Sequence, residues 1–203
     1  MFDPGGSVPI MATAYGASAP TSTPDLRWRT RDIVVAAVIG VAFGVAFVIA
    51  GGIWKGLEAL GPFQNVFYAI WLLPAIVAPL IIRKPGAAFF AEVVAAGLSA
   101  SLGSVWGVDT VMSGIMQGAG AEMVFALTRY RSYSFPVLAL AGLGAAAAAF
   151  VHDVFFYYSA LAPDVLAVMA VLMAVSGLVL LPVAALALVR ALRTTGVLDG
   201  FPT

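Results

Sequence analysis

Between residues 32 and 189 the chain is a succession of apolar runs separated by short polar breaks, each run near the ~20 residues an α-helix needs to cross a bilayer. The runs fall at about 32–52, 61–82, 86–105, 110–128, 135–157 and 164–189. In lipid every backbone N–H and C=O has to be satisfied inside the protein, so runs of this length fold as helices. Composition agrees, since 62% of the 203 residues are hydrophobic and 10% are charged, against about 25% charged in soluble domains. The expected fold class is therefore an all-α integral membrane protein with six transmembrane helices. Pro74 and Pro79 remove two backbone donors from the second run and should kink it.

Residues 1–26 are rich in Pro, Gly, Ser and Thr and contain no Lys or Arg, which excludes a positively charged signal-peptide start and suggests a disordered cytoplasmic tail. Residues 27–193 form the membrane domain, and 194–203 a short cytoplasmic tail. Basic residues are strongly asymmetric: Arg27, Arg29, Arg31, Arg83, Lys84, Arg129, Arg131, Arg190 and Arg193 fall on one side, and Lys55 alone on the other. By the positive-inside rule both termini are cytoplasmic, and the connections carrying Lys55–Glu58, Asp109 and Asp164 face outward.

Several function classes drop out. With no cysteine there is no thiol nucleophile, disulfide or cysteine metal site, and a single histidine, His152, cannot build a metal centre alone. Zero net charge gives no reason to expect a nucleic-acid partner. No GxxxxGK[ST] phosphate loop is present and no connection is large enough for a soluble domain, so ATP-driven work has to come from other subunits. Neither an enzymatic activity nor a cofactor is expected.

Two carboxylates lie deep inside the apolar runs, well away from their ends, at a cost of about 3 kcal/mol each on insertion scales, and so should face a cavity or a partner. Glu92 lies eight residues beyond Lys84 on the third run, and Glu122 seven before Arg129 on the fourth. At 1.5 Å per residue both sit roughly 10–12 Å from the cytoplasmic ends, at matching depth on antiparallel neighbours. Small residues share their faces: Ala88, Ala95, Ala96 and Ser99 beside Glu92, and Gly118, Ala119 and Ala126 beside Glu122. Gln117 adds a directional hydrogen-bonding group. On the outward side Trp54, Asn65, Tyr68, Trp106, Asp109, His152, Asp153, Tyr157 and Tyr158 gather. Singly these read as an interfacial belt, but converging above carboxylates they also suit a flat cationic heterocycle. The first run carries two four-residue ladders, Ala36–Gly40–Gly44 and Ala42–Ala46–Ala50, along which a second helix can approach closely.

The blocks WRTRDIVVAAVIGVAFGVAF, GPFQNVFYAIWLLPAIVAPLIIRKPGAAFFAEVVAA, GSVWG, QGAGAEMVFALTRYR and VHDVFFYY, spanning roughly residues 28 to 160, resemble the YkoE-type substrate-capture component of energy-coupling-factor vitamin importers. The sixth run matches in hydrophobicity only. This resemblance implies a six-helix protein of a prokaryotic plasma membrane that captures thiamine or its hydroxymethylpyrimidine precursor from outside. Its partners would be a transmembrane coupling subunit and two cytoplasmic ATPase subunits. Glu122 and Glu92 would then hydrogen-bond an aminopyrimidine or offset a thiazolium charge, with Trp106, Trp54 and Tyr68 stacking, Gln117 and Asn65 orienting, and His152 and Asp153 at the outer end. Contact with the coupling subunit would fall to Ala42, Ala46 and Ala50, or to Gly40 and Gly44. The alternative is a self-sufficient proton-coupled transporter with Glu92 or Glu122 carrying the proton.

Overall fold

The computed structural model describes residues 26–201, so the N-terminal tail expected at residues 1–26 lies almost wholly outside the described residues. Helix α1 spans Thr30–Gly56, a 3-10 segment Glu58–Phe67, α2 Ala69–Ile82, α3 Ala87–Ser101, α4 Asp109–Leu127 and α5 Phe135–Asp153. Helix α5 continues through a π turn, Val154–Tyr158; α6 (Pro163–Val175) runs into α7 (Leu181–Thr194) through a second π turn, Ser176–Leu180. These helical stretches coincide with the six apolar runs. Four are long and apolar enough to cross a membrane (Thr30–Gly56, Glu58–Ile82, Phe135–Tyr158 and Pro163–Thr194), and Ala87–Ser101 is a shorter apolar helix. Helix α4 carries Asp109, Gln117 and Glu122 among its glycines, which lowers its hydropathy.

Local signals set the helix ends. Asp32 reaches back to the Arg29 backbone N–H at 3.0 Å and opens α1. Pro136 and Pro163 occupy the first turns of α5 and α6, where the missing N–H costs nothing. Helix α2 runs from Ala69 to Ile82 through both prolines, and the non-helical backbone of its span falls earlier, at Gly61 (φ 53°, ψ −134°). Residues 194–201 fold back: Leu198 is buried, and Phe201 lies 4.2 Å beneath the Arg31 guanidinium.

Helix α2 is the axis of the bundle, with twelve of its fourteen residues buried. Around it α3 packs between α1 and α4, α5 beyond α4, and the α6–α7 helix closes against α5 and α2. Glycines permit the closest approaches. A Cβ at Gly40 or Gly44 of α1 would meet Val94 and Leu98 of α3 at 2.6 and 2.8 Å. Gly142 faces the Gly177 backbone in the second π turn, and Gly144 faces that of Gly120 on α4. Van der Waals contact between backbones is what holds helices together where lipid is as apolar as leucine.

Buried helix starts need partners, which Glu122 and Ser176 supply, and Glu92 reaches the interior of α2. Glu122 accepts the N–H groups of Gly86, Ala88 and Phe89 at 2.5, 3.0 and 3.3 Å, placing a carboxylate on the positive end of α3. Ser176, fully buried in the π turn, accepts from Ala69 N–H at 2.7 Å and donates to the Val66 carbonyl at 2.8 Å, joining the 3-10 segment to α2. Glu92 Oε2 accepts the N–H of Ala75, next to Pro74, at 3.0 Å.

Four variants test this by thermal unfolding of the detergent-solubilised chain. Gly142→Ala drives a methyl into the Gly177 carbonyl and should cost about 1–3 kcal/mol. Gly97→Ala, with no atom within 4 Å of the new Cβ, should leave Tm unchanged or raise it. Ser176→Ala strips a donor and an acceptor of their partner and should cost about 1–3 kcal/mol, with Ser176→Thr milder. An equal response of Gly97→Ala and Gly142→Ala would show that close backbone contact is not what matters here.

Candidate ligand-binding site

At the end of the bundle where α1 finishes and α4 begins, a cleft enters between α1, α2, α3, α4 and the α5 π turn. Its wall is aromatic. Trp71 on α2 meets Trp54 and Phe47 of α1 edge-on at 5.9 and 5.3 Å and Trp106 of the α3–α4 connection at 5.3 Å; Tyr68 stands 5.8 Å from Trp54. Such edge-to-face contacts fix ring orientation beyond what area burial gives.

The floor is polar. Glu92 is fully buried; its Oε2 is bound by Ala75, while Oε1 has no hydrogen-bond partner among the described residues. Gly118 sits against the Glu92 Cβ, and Gly114 against Ala96, so the small face of α4 lets α3 bring the carboxylate to the cleft. Gln117 donates to Ser113 Oγ at 2.7 Å, one turn further out on α4.

The mouth is a hydrogen-bonded chain. Tyr68 donates to Asp153 Oδ2 at 2.7 Å, and Asp153 Oδ1 lies 3.0 Å from His152 Nδ1. His152 Nε2 lies 3.3 Å from Asp109 Oδ1, and Tyr157 donates to Asp109 Oδ2. This chain ties the N-terminus of α4 to the end of α5 and to Tyr68 before α2. Three carboxylates line the cleft (Glu92, Asp109, Asp153) and no Lys or Arg does, so its potential favours neutral donors and cations. The free space amounts to about 70 Å³.

Of the residues expected at a ligand, Glu92, Gln117, Trp106, Asn65, Tyr68, Trp54, His152 and Asp153 all line this cleft. Asn65 also closes the 3-10 segment, donating to the Pro62 carbonyl at 2.8 Å. Glu122 is the correction: it does not line the cleft, and its carboxylate is occupied by the α3 N-terminus. Matching depth fails for a geometric reason. Glu92 is level with Gly118, one turn outward from Glu122 on α4, because crossed helices that start at different heights do not place equal residue counts side by side. Burial and the Glu122 carboxylate push the Tyr130 phenol up to about 12.

Several lining residues were missed or left unassigned. Trp71 shares a helix face with Tyr68 three residues earlier, and Asp109, Ser113 and Gln117 form a four-residue ladder on α4; both spacings were readable. Tyr157 and Tyr158 reach the cleft only through the π turn, which no spacing rule announces. On α1, Gly40 and Gly44 are spent on packing against α3. Ala42 is exposed, Ala46 half-buried and Ala50 buried.

Residues 31–148 match the family described as the ABC-type cobalt transport system, permease component. A Bacillus subtilis (strain 168) protein named as HMP/thiamine permease protein YkoE is 38% identical over 178 residues, covering 85% of this chain and 88% of that one. A solved structure described as an S-component of an ECF transporter superposes with a TM-score of 0.82 at 38% identity, over 86% of this chain and 90% of that one. A helical bundle with an aromatic and polar cleft at one end, alike in sequence and in fold to these proteins, belongs to the family of ABC-type transport permease components, as a YkoE-type, membrane-embedded substrate-binding S component of an energy-coupling-factor transporter.

Proposed function

We propose that the chain captures thiamine, or its hydroxymethylpyrimidine portion, from outside a prokaryotic plasma membrane and delivers it inward with a transmembrane coupling subunit and two cytoplasmic ATPase subunits. In this reading all six helical stretches span the bilayer and both termini are cytoplasmic, which puts the aromatic cleft on the outer face and the basic loops inside. The carrying observation is Glu92: a fully buried carboxylate with one oxygen held by Ala75 and the other without a hydrogen-bond partner among the described residues, on the floor of an aromatic box that no described Lys or Arg lines. An unmatched buried acceptor costs about 1–3 kcal/mol, which an amino N–H or a cationic ring in the cleft would recover. A metal cargo is less suited, since no group of three or more His, Asp or Glu side chains among the described residues is placed to hold an ion.

Roles follow from position. Trp54, Trp71, Trp106 and Tyr68 would stack on or edge a planar cation, Gln117 and Asn65 would set its in-plane orientation, and Asp109, His152 and Asp153 would close the mouth behind it. Release needs a second state that the coupling subunit and ATPases favour, because a ligand cannot reverse its own preference. The exposed face of α1 around Ala42, flanked by Val38 and Val45, is the surface offered for that contact. A small residue there admits a partner helix closely.

Titrating the purified chain with thiamine and with hydroxymethylpyrimidine, read by tryptophan fluorescence, should give submicromolar binding with a spectral change from the three cleft tryptophans. Glu92→Gln should weaken it by roughly 10- to 100-fold, the range expected for losing a charge-assisted hydrogen bond, while Glu122→Gln should lower Tm and leave affinity within about threefold. Failure of a folded chain to bind either compound would remove the vitamin assignment. Ala42→Trp should bind ligand normally in detergent yet stop uptake in cells that supply the coupling subunit and ATPases; undiminished uptake would move the contact to another face.

A further inference from the structure

His152 stands between two carboxylates at the cleft mouth. Its side chain is buried, with Nδ1 3.0 Å from Asp153 Oδ1 and Nε2 3.3 Å from Asp109 Oδ1. The other oxygen of each carboxylate accepts a phenol hydroxyl, from Tyr68 at Asp153 and from Tyr157 at Asp109. Phe156 covers the imidazole, with ring centroids 4.8 Å apart. One chain of hydrogen bonds therefore runs from Tyr68, before α2, across the end of α5 to Asp109, the first residue of α4.

The geometry fixes the state of the ring. A neutral imidazole has one N–H, so one of its nitrogens would turn a lone pair on a carboxylate oxygen, whereas an imidazolium donates from both. Imidazole is also the stronger base in water, about 6.5 against about 4 for a carboxyl, so a proton shared along this chain belongs to the ring. No described Lys or Arg lines the cleft, and Lys55 at the same end of the bundle is paired with Glu58 at 2.8 Å. The ring is thus the counter-charge to Asp109 and Asp153. Tyr158 is the remaining titratable side chain of the mouth, and Glu92, on the floor, is left as the carboxylate without a cation.

We propose that His152 is a positioning residue for ligand capture, an imidazolium pin that joins Asp109 of α4 to Asp153 of α5 and so clamps the mouth. Deeper in the bundle α4 and α5 touch through the Gly120 and Gly144 backbones, contacts that carry no charge. Loss of the ring's charge leaves two carboxylates facing one another across the mouth, and α4 parts from α5 there while the glycine contact holds. The pin acts through the carboxylates and the two tyrosines they orient. Its use in capture rests on the ligand-binding reading of the cleft, whereas its charge and the clamp do not.

The chain has one histidine and no cysteine, which makes both properties measurable on the full chain in detergent without ligand, once any polyhistidine tag is removed. Nitrogen-15 NMR of the imidazole at neutral pH should show both nitrogens protonated, and Asp109→Asn should leave a neutral ring. A Ser113→Cys reporter inside the cleft should react with a small thiol reagent roughly tenfold faster when His152→Gln is added, the size expected for losing a charge-assisted hydrogen bond. His152→Gln and Asp109→Asn together should then gain no more than either alone. Bound thiamine should leave His152→Gln about tenfold faster than the parent chain. A neutral ring in the parent chain overturns the proposal, as does a labelling rate indifferent to His152→Gln or additive effects of the two variants. Absence of thiamine binding with the NMR and labelling results as expected removes the vitamin reading and leaves the clamp. Where His152→Gln does not fold, Asp109→Asn supplies the labelling result.

Discussion

The bond from Glu92 to the Ala75 backbone is the interaction on which both the fold and the cleft depend. Helix α2 passes through the centre of the bundle, buried along nearly its whole length, and carries two prolines. In such a setting a backbone N–H has no water to turn to, and an unmet one costs as much as a lost hydrogen bond or more. Glu92 meets Ala75 from the neighbouring helix with one oxygen and lines the cleft with the other. A group held rigidly by the scaffold on one side is pre-oriented on the other, the arrangement that lets a binding site spend little on ordering itself. Supporting the helix and lining the cleft are two uses of one side chain.

The two membrane carboxylates have consequently different roles. Glu122 spends both oxygens on the first turn of α3, where a negative charge meets the positive end of the helix and three otherwise unmatched donors. Glu92 spends only one. Ser176 performs for α2 what Glu122 performs for α3, and does so because the π turn carries it to the start of a helix more than a hundred residues away in sequence. Each end of the bundle is thereby fixed by polar bonds, while its middle is held by glycine contacts between backbones.

Much of the cleft was legible in the sequence. Aromatic and polar residues near the ends of apolar runs are expensive to strand in lipid unless they meet one another, and eight of the nine residues named for the ligand do line one cleft. Spacing was the weaker guide. A carboxylate inside a membrane helix signals that it needs a partner, and both backbone N–H groups and a ligand satisfy that need; only the position of the α3 start decides that Glu122 has the former. The ladders on α1 show the same ambiguity, since small residues at four-residue spacing permit a close neighbour without saying whether it belongs to the same chain. For Gly40 and Gly44 the neighbour is α3.

What the sequence determined by itself was set by solvent: run length and hydropathy dictate helices, and the scarcity of charge makes each buried polar residue informative, because its cost in lipid has to be met somewhere. What only the tertiary structure decided was which partner meets that cost. Helix stagger placed Glu92 at the cleft and Glu122 one turn away at a helix end, and π turns delivered Tyr157, Tyr158 and Ser176 to their contacts. Folding back of the C-terminal segment likewise set Phe201 beneath the Arg31 guanidinium and buried Leu198. These are relations between elements distant in the chain, set by how the helices pack, and no local pattern of residues encodes them.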